Sequence, residues 1–343
     1  MFKAQKINKS IVRKHKDWQA LSCEEKKKTR KEDEWGLTIY KNTFPGWNSV
    51  DISLFVTDEL QDEIILPKLN KINYNEIGMR HKWNLFQDKN YQPSFAKEMR
   101  FPQSVIHCID GQLYDDEFRM INSNIANSIL NSYDALVFKK TLFSGHGEGV
   151  ILCHKGEYGD LIGKNWGGGN YIVQKVIRQC SEFAQFNESS VNVVRMTTLF
   201  WNGQVYILGG ILRIGAPGSF CDHTGYNNVN PRVVGIHDDG KLYDYCIDPD
   251  GEIMYKECFG KKTDGALVPK YEEMKQQAIS VHKHYPHNRI IGWDFTVDRN
   301  EEVICIEYNP DQPGIIQTQM AIGPIFNRIT RNNKTILQEI LES

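Results

Sequence analysis

Two apolar runs near the C-terminal end of the sequence, separated by a short polar stretch, constrain the fold more than any other feature. The runs "IIGWDFTVD" (290–298) and "VICIEYNP" (303–310) are rich in β-branched and aromatic residues, as strands are. The polar stretch "RNEE" (299–302) between them favours a turn. The sequence therefore predicts an antiparallel β-hairpin in this region.

The apolar pattern also predicts the register of this hairpin. If the four residues between the runs form the loop, Asp298 pairs with Val303, and Asp294 lies directly opposite Glu307. The same register gathers apolar residues on one face, in the pairs Trp293 with Tyr308, Phe295 with Ile306 and Val297 with Ile304. The other face is left with acidic side chains.

The acidic face combines Asp294, Glu307 and Asn309. Two carboxylates across an antiparallel pair have Cβ atoms about 5 Å apart and repel each other unless a positive charge joins them. Carboxylate and amide oxygens are hard ligands that suit Mg²⁺, an ion that proteins usually hold together with substrate phosphates. The face is therefore a candidate magnesium site, and the alternative is an exposed hairpin with two solvated acids.

Length and composition place this hairpin in a globular protein with more than one subdomain. The chain has 343 residues, of which 40% are hydrophobic and 24% are charged, so it exceeds the usual size of a single core and shows no overall disorder. Its formal net charge of −2 gives no bias towards nucleic acid as a partner. The eight cysteines form no CxxC pair, which indicates reduced thiols in a cytoplasmic protein.

The N-terminal segment is basic. Residues 1–34 carry eleven Lys or Arg against six Asp or Glu. The segment lacks the apolar region of a signal peptide, and no run in the chain approaches the ~20 apolar residues of a membrane span. It is interpreted either as a solvated helical arm or as an arm that touches a membrane surface or an acidic partner.

Short strands and a few helices account for most of the remaining pattern. Strands are predicted over 135–140, 149–155, 170–177 and, as one long hairpin, 190–215. Helices are predicted to end near Met99, to cover 122–132 and 270–285, and to include Ile336, Leu337, Ile340 and Leu341. Residues 216–265 are rich in Gly, Asn and Asp and are predicted to be loop-rich.

A glycine-rich segment follows the first of these strands. The stretch "KKTLFSGHGEGV" (139–150) places Lys139 at the end of a strand, ahead of Gly145, Gly147 and Gly149. Backbone N–H groups of glycines can converge on an anion, and a nearby ammonium adds positive charge. The segment is neither a Walker A nor a GxGxxG motif, so a plain hairpin is the alternative to a phosphate-binding loop.

The long hairpin carries two arginines whose faces depend on its register. With Asn202-Gly203 as a type I′ turn, Asn192 lies opposite Arg213 and Arg195 points to the other face, unless a bulge at Gly209-Gly210 changes the pairing. Arg213 sits in an apolar strand and needs a counter-charge if it is buried. It is therefore the preferred side chain for a transferred phosphoryl group, whereas Arg195 is either similar or a surface residue.

The order of these pieces resembles that of a known family. An early "DKN" lysine, the "VFKK" strand with its Gly-rich loop, the "QKVI" segment, an arginine strand and a final Asp…Glu-x-Asn are similar to the ATP-grasp superfamily, and within it to the sugar-transfer-associated branch. The resemblance spans roughly residues 80–325 and implies an α+β ATP-grasp fold, in which two α+β subdomains clasp ATP between antiparallel sheets. The implied parts are an N-terminal helical or α+β lead-in (1–82), a small subdomain with the phosphate loop and hinge (83–178) and a large subdomain with the metal site and acceptor pocket (179–343).

The resemblance also implies roles for individual residues. Lys89 and Lys139 would contact the ATP phosphates, and Arg213 together with Lys139 would act on the phosphoryl group in transfer. The implied Mg²⁺ ligands are Asp294, Glu307 and Asn309. The other residues implied to bind nucleotide are Ser144, Gly145 and Gly147 in the loop over the phosphates, Gln174, Lys175, Val176 and Ile177 at the hinge beside adenine, and Asn192 in the arginine hairpin.

The activity implied by the resemblance is ATP-dependent amide formation, in which a carboxylate is phosphorylated and an amine then displaces phosphate. The expected substrate is a sugar acid or glycan precursor of surface-polysaccharide synthesis. The alternatives are a phosphotransferase that acts on a hydroxyl and a non-catalytic scaffold of a polysaccharide-assembly complex. The segments "NNVNPRVVGI" (227–236) and "ECFGKKTDG" (257–265) depart from the family pattern where the acceptor pocket is expected.

Overall fold

The computed structural model describes residues 44–47, 54, 56, 86–142, 149–162, 169–223, 227–249, 251–310, 313–331 and 333–342. The basic arm and the loop residues Ser144, Gly145 and Gly147 lie outside the described residues, and so does most of the N-terminal lead-in. The predictions made for those parts of the chain stay predictions.

Two antiparallel sheets form the body of the protein. The strands of the first sheet are β1 (Ser104–Ile109), β2 (Gln112–Asp115), β3 (Ala135–Lys140), β4 (Val150–His154) and β5 (Tyr171–Lys175). Those of the second are β6 (Val193–Trp201), β7 (Gln204–Ile214), β8 (Arg232–Ile236), β9 (Leu242–Ile247), β10 (Ile253–Tyr255), β13 (Ile290–Val297) and β14 (Val303–Asn309). The strand order is β2-β1-β5-β3-β4 in the first sheet and β10-β9-β8-β7-β6-β13-β14 in the second. Two short pairs complete the set, β11 (Glu257–Cys258) with β12 (Lys261–Lys262) and β15 (Thr330–Arg331) with β16 (Lys334–Thr335).

Short helices pack around the sheets. They are α1 (Gln92–Phe95), α2 (Ser123–Leu130), α3 (Gly159–Ile162), α4 (Ser181–Ala184), α5 (Tyr271–Lys283), α6 (Ile315–Ile322) and α7 (Ile336–Glu342), besides a 3₁₀ turn at Pro45–Trp47. The side chain of Asn122 caps α2 by accepting a hydrogen bond from the backbone N–H of Ile125, and α2 buries Ala126 and Leu130 in the core of the first sheet. None of the helices described is long and apolar enough to cross a membrane.

Helices α5 and α6 cover opposite faces of the second sheet. On one face, α5 packs through Met274 and Ala278 into the core that contains Met196. On the other face, α6 packs through Ile315 into the core that contains Ile211. Because both faces are covered, every residue of β13 is buried. A charged side chain on that strand is therefore costly unless it is paired.

Most of the predicted elements are confirmed. The strand over 135–140 has the predicted bounds, and the pairing of Trp201 with Gln204 confirms the Asn202-Gly203 turn, whose two residues have positive φ angles of 48° and 77°. The C-terminal helix buries Ile336, Leu337 and Ile340 as predicted. The seven cysteines among the described residues are free thiols, and six of them are buried.

One prediction about an element is wrong, and one is incomplete. The helix predicted to end near Met99 is cut after Phe95, because the chain turns there and its Arg100 carbonyl accepts a hydrogen bond from the backbone N–H of Cys305. The described part of the stretch 216–265 is loop-rich as predicted, but β8, β9 and β10 also lie in it and extend the second sheet. Its Gly, Asn and Asp residues are concentrated in the turns, and the strands between them are too short to dominate the pattern.

Candidate functional site

The β13–β14 hairpin places Asp294 directly opposite Glu307, as predicted. Trp293 pairs with Tyr308, which is also confirmed. One residue further on, a bulge at Ile306 shifts the register, so the predicted partners of Phe295 and Val297 are wrong. These residues pair instead with Cys305 and Val303.

The loop of this hairpin has five residues, 298–302, and not the predicted four. Asp298 belongs to the turn because its carboxylate accepts hydrogen bonds from the backbone N–H groups of Asn300 and Glu302, at 2.9 and 3.0 Å. An aspartate that bonds its own following backbone in this way stabilises a turn. The longer loop and the bulge compensate each other, so the acidic pair keeps its predicted register.

A second bulge brings both arginines to the same face of the second sheet. Between β6 and β7, the register shifts at Leu208, so that Arg213 lies opposite Val193 and Arg195 opposite Ile211. The prediction that Asn192 faces Arg213, with Arg195 on the other face, is therefore wrong. One inserted residue is enough to exchange the two faces of a strand.

Arg195 and Arg213 both bind Asp294. Arg195 pairs with Asp294 across β6 and β13 and donates from Nε to Oδ1 at 2.5 Å and from Nη2 to Oδ2 at 2.9 Å. Arg213 Nη2 lies 3.0 Å from the same Oδ2 atom. With Glu307 on the far side of Asp294, charged side chains form a row across four neighbouring strands.

The two guanidinium groups decide the ionisation of Asp294. Burial raises the pKa of this carboxyl, but Arg195 and Arg213 lower it by more, so it lies below its ordinary value. The carboxylate is therefore ionised and held by two arginines. The positive charge that the opposed acids require is supplied here by the protein.

Two lysines lie close to the acidic pair, Lys89 in the turn before α1 and Lys139 on β3 of the first sheet. Lys89 Nζ lies 3.3 Å from Glu307 Oε2. Lys139, at the end of β3, is partly buried, and burial lowers the pKa of its ammonium, an effect that Glu307 opposes and Lys89 reinforces. The predicted phosphate lysines and the predicted metal ligands therefore come together, although Lys139 belongs to the first sheet and the acidic pair to the second.

The "DKN" turn explains the position of Lys89. Its backbone N–H donates to the Thr141 carbonyl at 3.4 Å, and the backbone N–H of Asn90 donates to the Asp88 side chain at 2.9 Å. A few residues later, Gln92 Nε2 donates to the carbonyl of Tyr308 at 2.8 Å. The turn is thus bonded both to the end of β3 and to β14, next to Glu307.

The predicted hinge lies where β5 leaves the first sheet. Gln174 is buried and its Nε2 donates to the Pro102 carbonyl at 3.2 Å, while the Lys175 ammonium lies 5.3 Å from the centre of the Tyr133 ring. Val176 and Ile177 are partly buried. The side chains of Gln174 and Lys175 thus contact the protein, and the contact of this segment with adenine stays a prediction.

Asn192 lies apart from this cluster. It is fully buried, and its Nδ2 donates to the backbone carbonyls of Phe183 and Asn187 at 2.7 and 3.0 Å. Its backbone N–H donates to Gln179 Oε1 at 2.9 Å. These bonds use both hydrogens of the amide to hold the loop around α4, and the structure does not bring Asn192 to the charged row.

Sequence reasoning missed Asp222 and His223. Asp222 Oδ2 lies 2.8 Å from Arg213 Nε, and Arg213 Nη1 donates to His223 Nε2 at 3.0 Å. Burial raises the pKa of Asp222, but Arg213 and His223 lower it more, and the result is well below the ordinary value. The one available signal was the need of Arg213 for a counter-charge, and it did not point to a particular residue within a stretch predicted to be loop.

The family of the chain follows from its sequence. Residues 161–334, just over half of the chain, match the model of the family described as sugar-transfer associated ATP-grasp. The chain belongs to this family. The predicted ATP-grasp fold, α+β with antiparallel sheets, is thereby confirmed.

Solved structures give weaker likenesses. The MgADP complex of the biotin carboxylase domain of Hydrogenobacter thermophilus 2-oxoglutarate carboxylase shares 15% identity over 71% of this chain and 46% of its own, with a TM-score of 0.39. D-alanyl-alanine synthetase A of Vibrio cholerae shares 13% identity over 76% of this chain and 65% of its own, with a TM-score of 0.45. Biotin carboxylase of Campylobacter jejuni shares 14% identity over 81% of this chain and 52% of its own, with a TM-score of 0.43. The chain thus spans about half to two thirds of their length, and such likenesses carry no argument about activity. No curated protein matches the chain.

The charged row of this ATP-grasp protein has the donor set that Mg²⁺ and a polyphosphate require. Asp294, Glu307 and Asn309 offer hard oxygen atoms, and Asn309 Nδ2 lies 3.4 Å from Asp294 Oδ2. In the part of the chain that the structure describes, no three His, Cys, Asp or Glu side chains form a metal-binding group. The four cations nearby, Lys89, Lys139, Arg195 and Arg213, outnumber the three carboxylates Asp222, Asp294 and Glu307. The residues present therefore fit a magnesium-bound anion.

A glycine beside this row leaves room for a neighbouring segment. A Cβ on Gly292 would lie 2.5 Å from the Pro313 carbonyl oxygen, which accepts a hydrogen bond from Arg195 Nη1 at 3.2 Å. We expect Gly292→Ala to lower the free energy of unfolding, measured in urea, by about 1–3 kcal/mol, because the Pro313 segment must move. Gly159→Ala, with no atom within 4 Å of the added Cβ, is the control and should change it by less than about 1 kcal/mol. Equal unfolding midpoints for both variants would contradict the prediction.

Proposed function

We propose that this protein is an ATP- and Mg²⁺-dependent carboxylate–amine ligase that forms an amide through an acyl phosphate. The proposed carboxylate is a sugar acid or glycan precursor used in surface-polysaccharide synthesis. The observation that carries the proposal is the meeting of Lys89 from the turn before α1 and Lys139 from the first sheet with Arg213, Asp294 and Glu307 of the second sheet. Such a set binds a polyphosphate and neutralises the charge that develops during phosphoryl transfer.

The residues divide into three roles under this proposal. Lys89 and Lys139 bind the phosphates of ATP as point charges. Arg213 donates to the phosphoryl group that passes to the substrate carboxylate. Asp294, Glu307 and Asn309 would hold Mg²⁺, which when bound polarises phosphoryl oxygens and neutralises their charge.

The chemistry requires no covalent nucleophile from the protein. A substrate carboxylate oxygen attacks the terminal phosphorus of ATP, and ADP leaves. The amine then attacks the carbonyl carbon, and inorganic phosphate leaves with the bonding electron pair. The protein contributes by holding the reactants in line between the two sheets and by placing cations where negative charge develops.

Release of ADP and phosphate against a panel of substrates tests this function. Uronic acids and amino acids are supplied singly and in pairs, with Mg²⁺ present. We expect full turnover only when a carboxylate and an amine are both present, and a loss of turnover when the metal is removed by a chelator. A phosphotransferase would instead release ADP with a single hydroxyl acceptor and leave a phosphorylated product. Absence of ADP release with every member and pair of the panel would contradict an activity on these compounds.

A further inference from the structure

The neighbours of His223 determine which of its ring nitrogens carries the proton. Arg213 can only donate hydrogen bonds, so His223 Nε2, 3.0 Å from Arg213 Nη1, is the acceptor. The proton of the neutral ring is then on Nδ1, which lies 3.1 Å from Asp222 Oδ1. His223 is thus an imidazole with a basic Nε2 atom directed at Arg213 and an Nδ1–H group directed at a carboxylate.

The two residues before His223 interact with both halves of the proposed active site. Asp222 and Cys221 of the same loop act electrostatically on the ammonium of Lys139, which belongs to the first sheet. Asp222 also acts on Arg195 of the second sheet. The side chains of Asp222 and His223 are 14% and 16% exposed, so the pair lies at the edge of the cluster, where a substrate could reach it.

Phosphoryl transfer would uncover the basic atom. Under the proposed function, Arg213 donates to an oxygen of the transferred phosphoryl group. If Nη1 takes that oxygen as its acceptor, His223 Nε2 loses the donor that now covers it. The ring then exchanges the partner that Arg213 provides, at the stage of the reaction when the amine attacks.

We propose that His223, oriented by Asp222, is the general base for the amine. The inference rests on the proposed function. The amine nitrogen forms the new C–N bond, the C–O bond to phosphate breaks, and inorganic phosphate leaves with the electron pair. The proton lost by the nitrogen goes to His223 Nε2 and from there to water. A base of this kind contributes about 10²–10⁴-fold to the rate.

Hydroxylamine separates the base from the rest of the site. It is unprotonated near neutral pH and attacks acyl phosphates without a base, and the hydroxamate that it forms is measured directly. In His223→Gln, the amide oxygen can accept the hydrogen bond from Arg213 but cannot take up a proton. We expect this variant to lose about 10²–10⁴-fold in amide formation and less than about threefold in hydroxamate formation. His287→Gln, at an exposed histidine, should behave as the parent in both reactions.

Nitrogen NMR gives a readout that does not depend on turnover. In the ¹⁵N-labelled protein near neutral pH, the signals that disappear in His223→Gln should belong to a ring with protonated Nδ1 and unprotonated Nε2. A ring with its proton on Nε2 would overturn the proposal, because that atom could not then accept one.

The remaining outcomes distinguish the two proposals. If the parent forms neither amide nor hydroxamate with any acid of the panel, the ligase function fails and the role of His223 fails with it. If the parent forms both amide and hydroxamate, two results would overturn only the role of His223. One is an equal loss of both reactions in His223→Gln, and the other is no loss of either reaction. A parent that phosphorylates a hydroxyl and never forms an amide overturns both.

Discussion

Replacing Asp294 with Asn should reduce ADP release by about 10²–10³-fold and lower the free energy of unfolding by about 3–5 kcal/mol. The side chain is buried, and both of its oxygens accept hydrogen bonds from Arg195. An uncharged amide cannot neutralise the charge of Arg195. Arg213 also loses one of its two carboxylate partners and keeps the other, Asp222. The loss of stability should appear as a lower urea midpoint with an unchanged denaturant slope.

Two matched variants separate burial from charge. Asp239→Asn removes an exposed carboxylate that pairs with Lys241 at 2.6 Å, and should leave both the urea midpoint and the activity unchanged. Glu307→Gln removes a more exposed partner of Lys89, and should lower activity with a smaller loss of stability than Asp294→Asn. If Asp294→Asn retained the parent rate with Mg²⁺ present, its assignment to the metal site would fail.

The hairpin shows why part of the site could be predicted from the sequence. The alternation of apolar and polar residues in two adjacent strands predicts which residues pair across the hairpin. An error in the predicted loop length shifts every one of these pairs. Asp294 and Glu307 were nevertheless predicted correctly because the fifth loop residue and the bulge at Ile306 cancel at that position. The prediction of the opposed acids is thus correct partly because two local features, which the sequence pattern does not reveal, compensate each other.

The position of Arg195 could not be predicted from the sequence for the same reason. Its face depends on one extra residue at Leu208, and the bulge lies beside Gly209, where a Cβ would meet the side chain of Ile322 at 2.4 Å. The packing of α6 against this glycine is a tertiary contact between distant parts of the chain. Local periodicity carries no information about such a contact, and the pairing of Arg195 with Asp294 was therefore missed.

The arginine pairing changes the interpretation of the acidic face. The opposed carboxylates require a cation between them, and the sequence predicts that this cation is Mg²⁺. In the structure, Arg195 and Arg213 occupy both oxygens of Asp294. Binding of a metal at Asp294 therefore requires at least one arginine to exchange its partner, and the phosphates of ATP are the natural alternative acceptor.

Lys139→Met should weaken the binding of ADP by about 10- to 150-fold, the cost of losing one or two charge-assisted hydrogen bonds to phosphate. The parent should also bind ADP less tightly as the pH rises. Burial lowers the pKa of the Lys139 ammonium below 10.5, and the phosphates bind the protonated form, so affinity falls as the pH passes through this lowered pKa. Titration calorimetry at several pH values from about 7 to about 10 measures both effects.

Arginine at position 139 is the decisive control, because a guanidinium keeps its charge throughout this pH range. Lys139→Arg should bind ADP with little change in affinity as the pH rises, even if its absolute affinity is lower. Lys155→Met, at an exposed lysine after β4, should match the parent at every pH. If Lys139→Met bound ADP as tightly as the parent, this lysine would not contact the phosphates, and its nearness to Glu307 would then reflect only the attraction between the two sheets.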